Sequence, residues 1–205
     1  MADRAQKKTE TRQRILDAAS QRFRRDGYAD TSVTEVMRDA GLTHGGFYAH
    51  FKNKEDLFDH AVRHATDTAG DWLEEQMRGK EGAKWIEAWV DMYLSDGHCQ
   101  NPQAGCPMPS LLPEVVRSGN AASSAFTGGL ERRLERLREY LPFDGEESDR
   151  RASAAYAHMA GALMLSRALP IERSASLRRD VAALVKSVLL GQSELPNASP
   201  EGEPS

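Results

Sequence analysis

The stretch GLTHGGFYAHF, residues 41–51, decides how the chain is read. A glycine pair, Gly45 and Gly46, precedes the rings of Phe47, Tyr48 and Phe51, with His44 and His50 close by. Upstream, Ser32 and Glu35 have capping-box spacing, Val33, Val36 and Met37 form one apolar side, and Gly41 closes the segment. This predicts a helix over 32–40. Leu42 follows as a residue to bury against it, and Thr43 stands where a second short helix, 43–50, takes its N-cap, the hydroxyl satisfying a free amide. Downstream, Asn53 and Asp56 open a long helix, 54–78, with Leu57, Ala61, Ala65, Thr68 and Trp72 along one stripe. Two short helices joined by a glycine-containing turn make a helix-turn-helix, whose second helix enters the DNA major groove N-terminus first.

That arrangement accounts for the glycines. Each costs roughly 1 kcal/mol of helix propensity relative to alanine, so a pair inside a short helix needs a reason. Without side chains at 45 and 46 the backbone approaches DNA closely; the alternative is that 44–46 is only a turn. Free amides and the positive dipole end favour an anion there. At helical spacing Phe47 and Phe51 turn inward as core.

Working outward, Ile15, Leu16, Ala19 and Phe23 place a first helix over 8–25, ended by Gly27. Further helices are expected at 81–95, 110–117, 120–140, 146–169 and 174–190, with a Gly/Pro/Asn/Cys-rich loop between Asp96 and Pro109. All nine prolines lie from Pro102 onward, and no alternating β-branched run is present. The expected fold is all-α, of about nine helices: a three-helix helix-turn-helix domain over 1–53, a helical domain over 54–191, to which the family resemblance given below assigns ligand binding and dimerisation, and a disordered tail over 192–205.

Net charge is −4 over 205 residues, unevenly spread. Residues 1–54 hold 11 Lys and Arg against 7 Asp and Glu; the remainder holds 16 against 24. A basic head on an acidic body implies that the head meets a polyanion. Arg22, Arg24 and Arg25 read as a solvated face. A polar N-terminus without a secretory pattern, two cysteines, and no span of membrane character imply a cytoplasmic protein with no membrane association. No nucleophile–base set or GxxxxGK loop points to an enzyme, and no cofactor or metal is expected.

Residues 15–62, ILDAASQRFRRDGYADTSVTEVMRDAGLTHGGFYAHFKNKEDLFDHAV, resemble the DNA-binding domain of the tetracycline-repressor (TetR) family. The likeness rests on many spaced positions over about a quarter of the chain; beyond it, only length and helical content agree. It implies that Thr43, His44 and Gly45 lead the recognition helix and that Tyr48 contacts phosphate through its hydroxyl. It implies a polar role for His50 just beyond, a phosphate contact at Lys54, and candidate phosphate contacts at Thr31, Ser32 and Thr34. It also implies a homodimer on palindromic double-stranded DNA, its interface built from the last two helices. Ala157 and Gly161 would allow close approach there, and Met164, Leu184 and Val188 would supply apolar contact, with Leu163 and Val185 beside them.

A regulator of this type answers an effector. Trp85, Trp89 and Tyr93 form one stripe that lines either a pocket or the core, and Met108, Phe126 and His158 are further candidates. A small apolar or electrophilic effector is expected. Cys106 lies between Gly105 and Pro107 near a helix start, where a thiol is made more nucleophilic. It reads as a sensor, with Cys99 as a resolving partner, or as an ordinary small residue; His98, Cys99 and Cys106 offer a weaker metal alternative. A DNA-bound adaptor that signals by protein contact is the competing function.

Overall fold

The structure, a computed structural model, describes residues 2–192. The expected tail, past Gln192, lies outside the described residues. Nine α-helices and one 3-10 helix are present among them, with no strand. α1 spans Ala2–Asp30, with a kink at Gly27 (φ 81°, ψ 173°), a conformation essentially confined to glycine. α2 spans Val33–Asp39 and carries the reciprocal capping box of Ser32 and Glu35. It ends in a Schellman turn: Gly41 (φ 67°) donates to the Arg38 carbonyl and Leu42 to that of Met37.

The next element differs from expectation. Residues His44–Ala49 form a 3-10 helix, η1, and the Thr43 side chain makes no cap bond. The Gly46 amide closes the tighter turn on the Thr43 carbonyl at 3.1 Å. Two glycines with little helix propensity, in a segment this short, leave the α form without support.

α3 (Lys54–Gln76) starts on the Asn53 cap, whose Oδ1 accepts from the Asp56 amide. α4 (Gly82–Tyr93), α6 (Pro107–Arg117), α7 (Asn120–Arg138), α8 (Gly145–Ser166) and α9 (Ile171–Leu189) complete the main frame. The loop expected between Asp96 and Pro109 contains a further helix, α5 (Asp96–Gln100). Ser95 caps it by accepting from the His98 amide.

Two apolar clusters organise the chain. One gathers Ile15, Phe23, Met37, Phe47, Phe51, Leu57 and Phe58, and extends through Ala65 of α3 to Leu111 and Val115 of α6 and Ala122 of α7. The other gathers Trp85, Trp89, Tyr93, Met108, Leu137, Tyr156, Met159, Leu163 and Leu189. Phe126 packs against both. α3 therefore leaves the head as a continuous rod and runs on into the body, where it crosses α7.

Candidate nucleic-acid interface and internal cavity

η1 presents a surface with little intramolecular purpose. Phe47 and Phe51 are buried and stacked, as their spacing requires. Tyr48 is 69% exposed, and Thr43, His44, Gly45 and Gly46 lie exposed beside it. Neither Gly45 nor Gly46 has positive φ. A β-carbon at 45 would meet nothing within 4 Å, and one at 46 would make ordinary contact with Met37. The fold itself does not demand glycine at either position. The Thr34 hydroxyl lies 3.2 Å from His44 Nδ1, and the His44 ring meets Tyr48 edge-on, so these three groups form one ordered patch.

Other predicted contacts are placed differently. Thr31 is buried, its hydroxyl donating to the Gly27 carbonyl at 2.7 Å, so it has no free face for phosphate. Ser32 is exposed but serves the capping box. Lys54 folds back over the Tyr28 ring and donates to the Ala29 carbonyl at 3.3 Å; burial lowers its pKa. His50 is half-buried, with Nδ1 enclosed and without a hydrogen-bond partner among the described residues. Burial, then the charges of Lys8 and Arg12, lower its pKa.

The arginines expected to form a solvated face are mostly structural. Arg22 is buried and pairs with Asp39 at 2.6 Å and with Glu35 and Asp26 at 3.3 Å, tying α1 to α2. Arg14 donates to the Ala40 carbonyl at the end of α2. Arg24 reaches 81 residues along the chain to the Gly105 carbonyl, at 2.7 Å. Arg25 alone of the three stays on the surface, paired with Asp26. Charge count gave no sign of these assignments, because each partner is set by tertiary structure.

The body contains a cavity of about 400 Å³. Ala69, Trp72 and Leu73 of α3 form one wall; Trp89, Met92 and Tyr93 of α4, Tyr156 of α8, Arg133 of α7 and the 97–106 segment form the rest. Most of the lining is apolar. Its polar end holds the Cys106 thiol, 3.2 Å from the Tyr156 hydroxyl, and the Tyr93 hydroxyl, which has no hydrogen-bond partner among the described residues. Burial pushes the pKa of both tyrosines well above the ordinary value, and Cys106 adds to the effect.

Of the seven predicted effector residues, Trp89, Tyr93 and Cys106 line this cavity. The other four do not. Trp85 turns away to stack on Tyr140, 4.1 Å between ring centres, and faces a second, more polar cavity. Met108 is core, and Phe126 fills the joint between the two clusters. His158 is exposed, its Nδ1 donating to the Ala154 carbonyl. Trp72, Met92 and Arg133 lie on the wall, where α3, α4 and α7 converge.

Cys106 occupies the N-cap position of α6, as expected from its place before Pro107, but its side chain makes no cap bond. Cys99 is buried, facing Ser174 on the wall of a different cavity. His98 has both ring nitrogens engaged: Nδ1 donates to the Tyr93 carbonyl at 2.6 Å, and Nε2 accepts from the Cys106 amide at 2.7 Å. That pattern requires a neutral ring, and burial lowers its pKa to about 4. Both nitrogens being used, His98 offers no lone pair to a metal in this arrangement.

The outer faces of α8 and α9 carry exposed apolar groups. Ala157 and His158 are exposed, Gly161 is half-buried with open space beside it, and Met164, Leu165 and Leu184 are exposed. Val188, predicted for an interface, is only 8% exposed and belongs to the chain's own packing, as do Leu163 and Val185.

Residues 15–61 match the family described as bacterial regulatory proteins, tetR family. The regulator AcrR of Shigella flexneri is 49% identical over 53 residues, 26% of this chain and 25% of that protein. The fatty acid metabolism regulator of Bacillus subtilis is 31% identical over 70 residues, 34% of this chain and 36% of that protein. These matches span only about a quarter to a third of the relatives' length. Among solved structures, reduced NemR of E. coli superposes with a TM-score of 0.73 at 23% identity, over 87% of this chain and 96% of that one. A TetR transcriptional regulator from Chloroflexus aurantiacus superposes with a TM-score of 0.73 at 25% identity, over 89% and 95%. The head thus carries the sequence pattern of the tetR family of bacterial regulatory proteins over residues 15–61, and the body shares its helical fold with a solved TetR regulator.

Proposed function

We propose that the chain is a cytoplasmic, homodimeric transcriptional repressor that binds a palindromic operator and is released when an effector occupies or modifies the cavity. Residues 1–53 form the reading head and 54–191 the effector and dimerisation body. Thr34, Thr43, His44, Gly45, Gly46 and Tyr48 meet the DNA, with Ser32 and His50 at the margin. The single observation that carries this reading is α3: its first turn follows η1, and Trp72 and Leu73 on the same helix line the cavity. At 1.5 Å per residue the two ends of that lever are about 27 Å apart. An effector that moves the wall tilts the head, and DNA and effector then weaken each other's binding reciprocally.

The effector is a small apolar molecule or an electrophile. An apolar ligand fits the tryptophan-lined wall, with an oxygen acceptor for the Tyr93 hydroxyl. An α,β-unsaturated carbonyl would react at Cys106: the thiol gives up its proton to solvent, sulfur bonds to the β-carbon, the π electrons shift toward oxygen, and a proton from solvent completes the α-carbon.

The test uses duplexes selected by the protein from a random pool. Selected sequences should contain two half-sites related by a two-fold axis, and Tyr48→Ala should weaken binding to all of them while flattening the salt dependence. Selection of no duplex would end the proposal. Release by an α,β-unsaturated carbonyl that persists in Cys106→Ser would end the covalent branch and leave the apolar one.

A further inference from the structure

The cavity touches the head at a second place besides α3, through one peptide group. The carbonyl of Gly105 and the amide of Cys106 belong to the same planar unit. Arg24 of α1 holds its oxygen at 2.7 Å, and His98 Nε2 holds its N–H at 2.7 Å. His98 is anchored through Nδ1 to the Tyr93 carbonyl, on the helix that lines the cavity. The peptide is thus clamped between head and body, and Cys106 carries it.

Three features make this a specific coupling. Residue 105 must be glycine, since a β-carbon there would lie 2.1 Å from His98 Cδ2. Arg24 is half-buried and braced on Ser20 by bonds of 3.0 and 3.1 Å to its carbonyl and hydroxyl, so its guanidinium has little freedom to follow a moving acceptor. Burial lowers its pKa to about 10. Beyond Arg24 the connection is stiff: Arg22, two residues earlier on α1, grips Asp39 and Glu35 of α2, and Arg14 grips the Ala40 carbonyl beside the turn into η1.

We propose that Arg24 is a positioning residue that reads the Gly105–Cys106 peptide and transmits a change at Cys106 to the DNA-reading head. Enlarging the thiol forces the sulfur from its place beside Tyr156 and rotates the peptide it is attached to. The Gly105 carbonyl then leaves Arg24, and α1 loses its hold on the body. This rests on the reading of the cavity as an effector site.

The experiment alkylates Cys106 of the full chain with iodoacetamide, the S–C bond forming as iodide leaves and the thiol proton passes to solvent. Peptide mass confirms the site and extent. Hydrogen exchange over residues 20–30 and affinity for a selected duplex are then measured. In the wild-type chain, alkylation should speed exchange in that segment and weaken duplex binding at least tenfold. In Arg24→Met, alkylated to the same extent, both changes should shrink below twofold, and Arg24→Lys, which keeps a donor, should restore part of each. An Arg24→Met chain that responds like wild type overturns the proposal. Gly105→Ala decides the matter independently of whether Arg24→Met folds. Its methyl displaces His98, so the unalkylated variant should exchange like the alkylated wild type, and unchanged exchange overturns the link. If alkylation changes exchange through Arg24 but not duplex affinity, the link stands and the effector reading fails. If affinity falls without any change over 20–30, the effector reading stands and the link is overturned.

Discussion

Thr66 of α3 and Gly129 of α7 cross so closely that a β-carbon on residue 129 would lie 2.6 Å from the threonine Cβ. This is where α3 passes from the head into the body. Arg133, one turn further along α7, donates to the Gly129 and Thr66 carbonyls at 2.9 and 3.0 Å, closing the crossing with polar bonds. The position of α3, and with it the proposed lever, is set by the absence of one methyl group.

Gly129→Ala should therefore push α3 and α7 apart. Overpacking of this kind costs about 1–3 kcal/mol, offset by up to about 1 kcal/mol of gained helix propensity. Chemical denaturation should give a net loss of about 1–2 kcal/mol, and duplex affinity should change although residue 129 is remote from η1. A variant as stable as wild type, with unchanged affinity, would show that the crossing does not set the lever.

Gly45→Ala separates folding from DNA contact. The new methyl meets nothing within 4 Å in the free protein, and alanine favours helical backbone. Stability should be unchanged or rise by up to about 1 kcal/mol. Affinity for a selected duplex should fall at least tenfold, about 1.4 kcal/mol, because the methyl occupies the gap between η1 and the groove. Equal affinity for the two proteins, measured at one salt concentration, would remove the clearance argument for the glycine pair.

How much of this was legible in the sequence follows from the range of each interaction. The Ser32–Glu35 box, the Gly41 turn and the Asn53–Asp56 cap join residues at most five apart, and each is readable locally. The family-wide head could also be recognised from spaced positions. Trp85 and Trp89 share one stripe, yet one stacks on Tyr140 and the other also faces the main cavity. Periodicity gives the buried side of a helix but not which neighbour covers it. Arg24 and Gly105, or Thr66 and Gly129, meet only once the helices are packed. α5 had a local signal, the Ser95 cap, that composition alone obscured.

The outer faces of α8 and α9 give a prediction about assembly. Leu165 is 60% and Leu184 45% exposed, flanking the small residues Ala157 and Gly161. Leu184→Glu should leave the isolated chain folded, because the side chain has solvent to enter. In a two-fold dimer it places an unpaired charge in the interface twice, costing roughly 3 kcal/mol or more, over 100-fold in Kd. Sedimentation should show a monomer at concentrations where the wild type is dimeric, with circular dichroism unchanged. Val188→Glu is the contrast: its position is already covered within the chain, so it should unfold the protein instead. A Leu184→Glu chain that remains fully dimeric would place the interface elsewhere.

His98 gives stability a dependence on pH of predictable sign. Its folded pKa is lowered by burial to about 4, against about 6.5 when unfolded. Below pH 6.5 the unfolded chain takes up a proton that the folded chain refuses, because Nε2 is occupied by the Cys106 amide. The unfolded state therefore binds more protons, and stability contributed by this residue is full above pH 6.5 and declines as pH falls toward 4. The loss between pH 7 and pH 5 amounts to about 2 kcal/mol. Partial exposure of the ring can only reduce that figure. His98→Gln keeps a donor and an acceptor but does not titrate, so its denaturation midpoint should fall less steeply over the same interval. Carboxylates, the other groups that titrate there, are common to both proteins and cancel in the comparison. Parallel pH profiles for the two chains would mean that His98 is not held neutral in the fold, and that the Gly105–Cys106 peptide is not clamped as described.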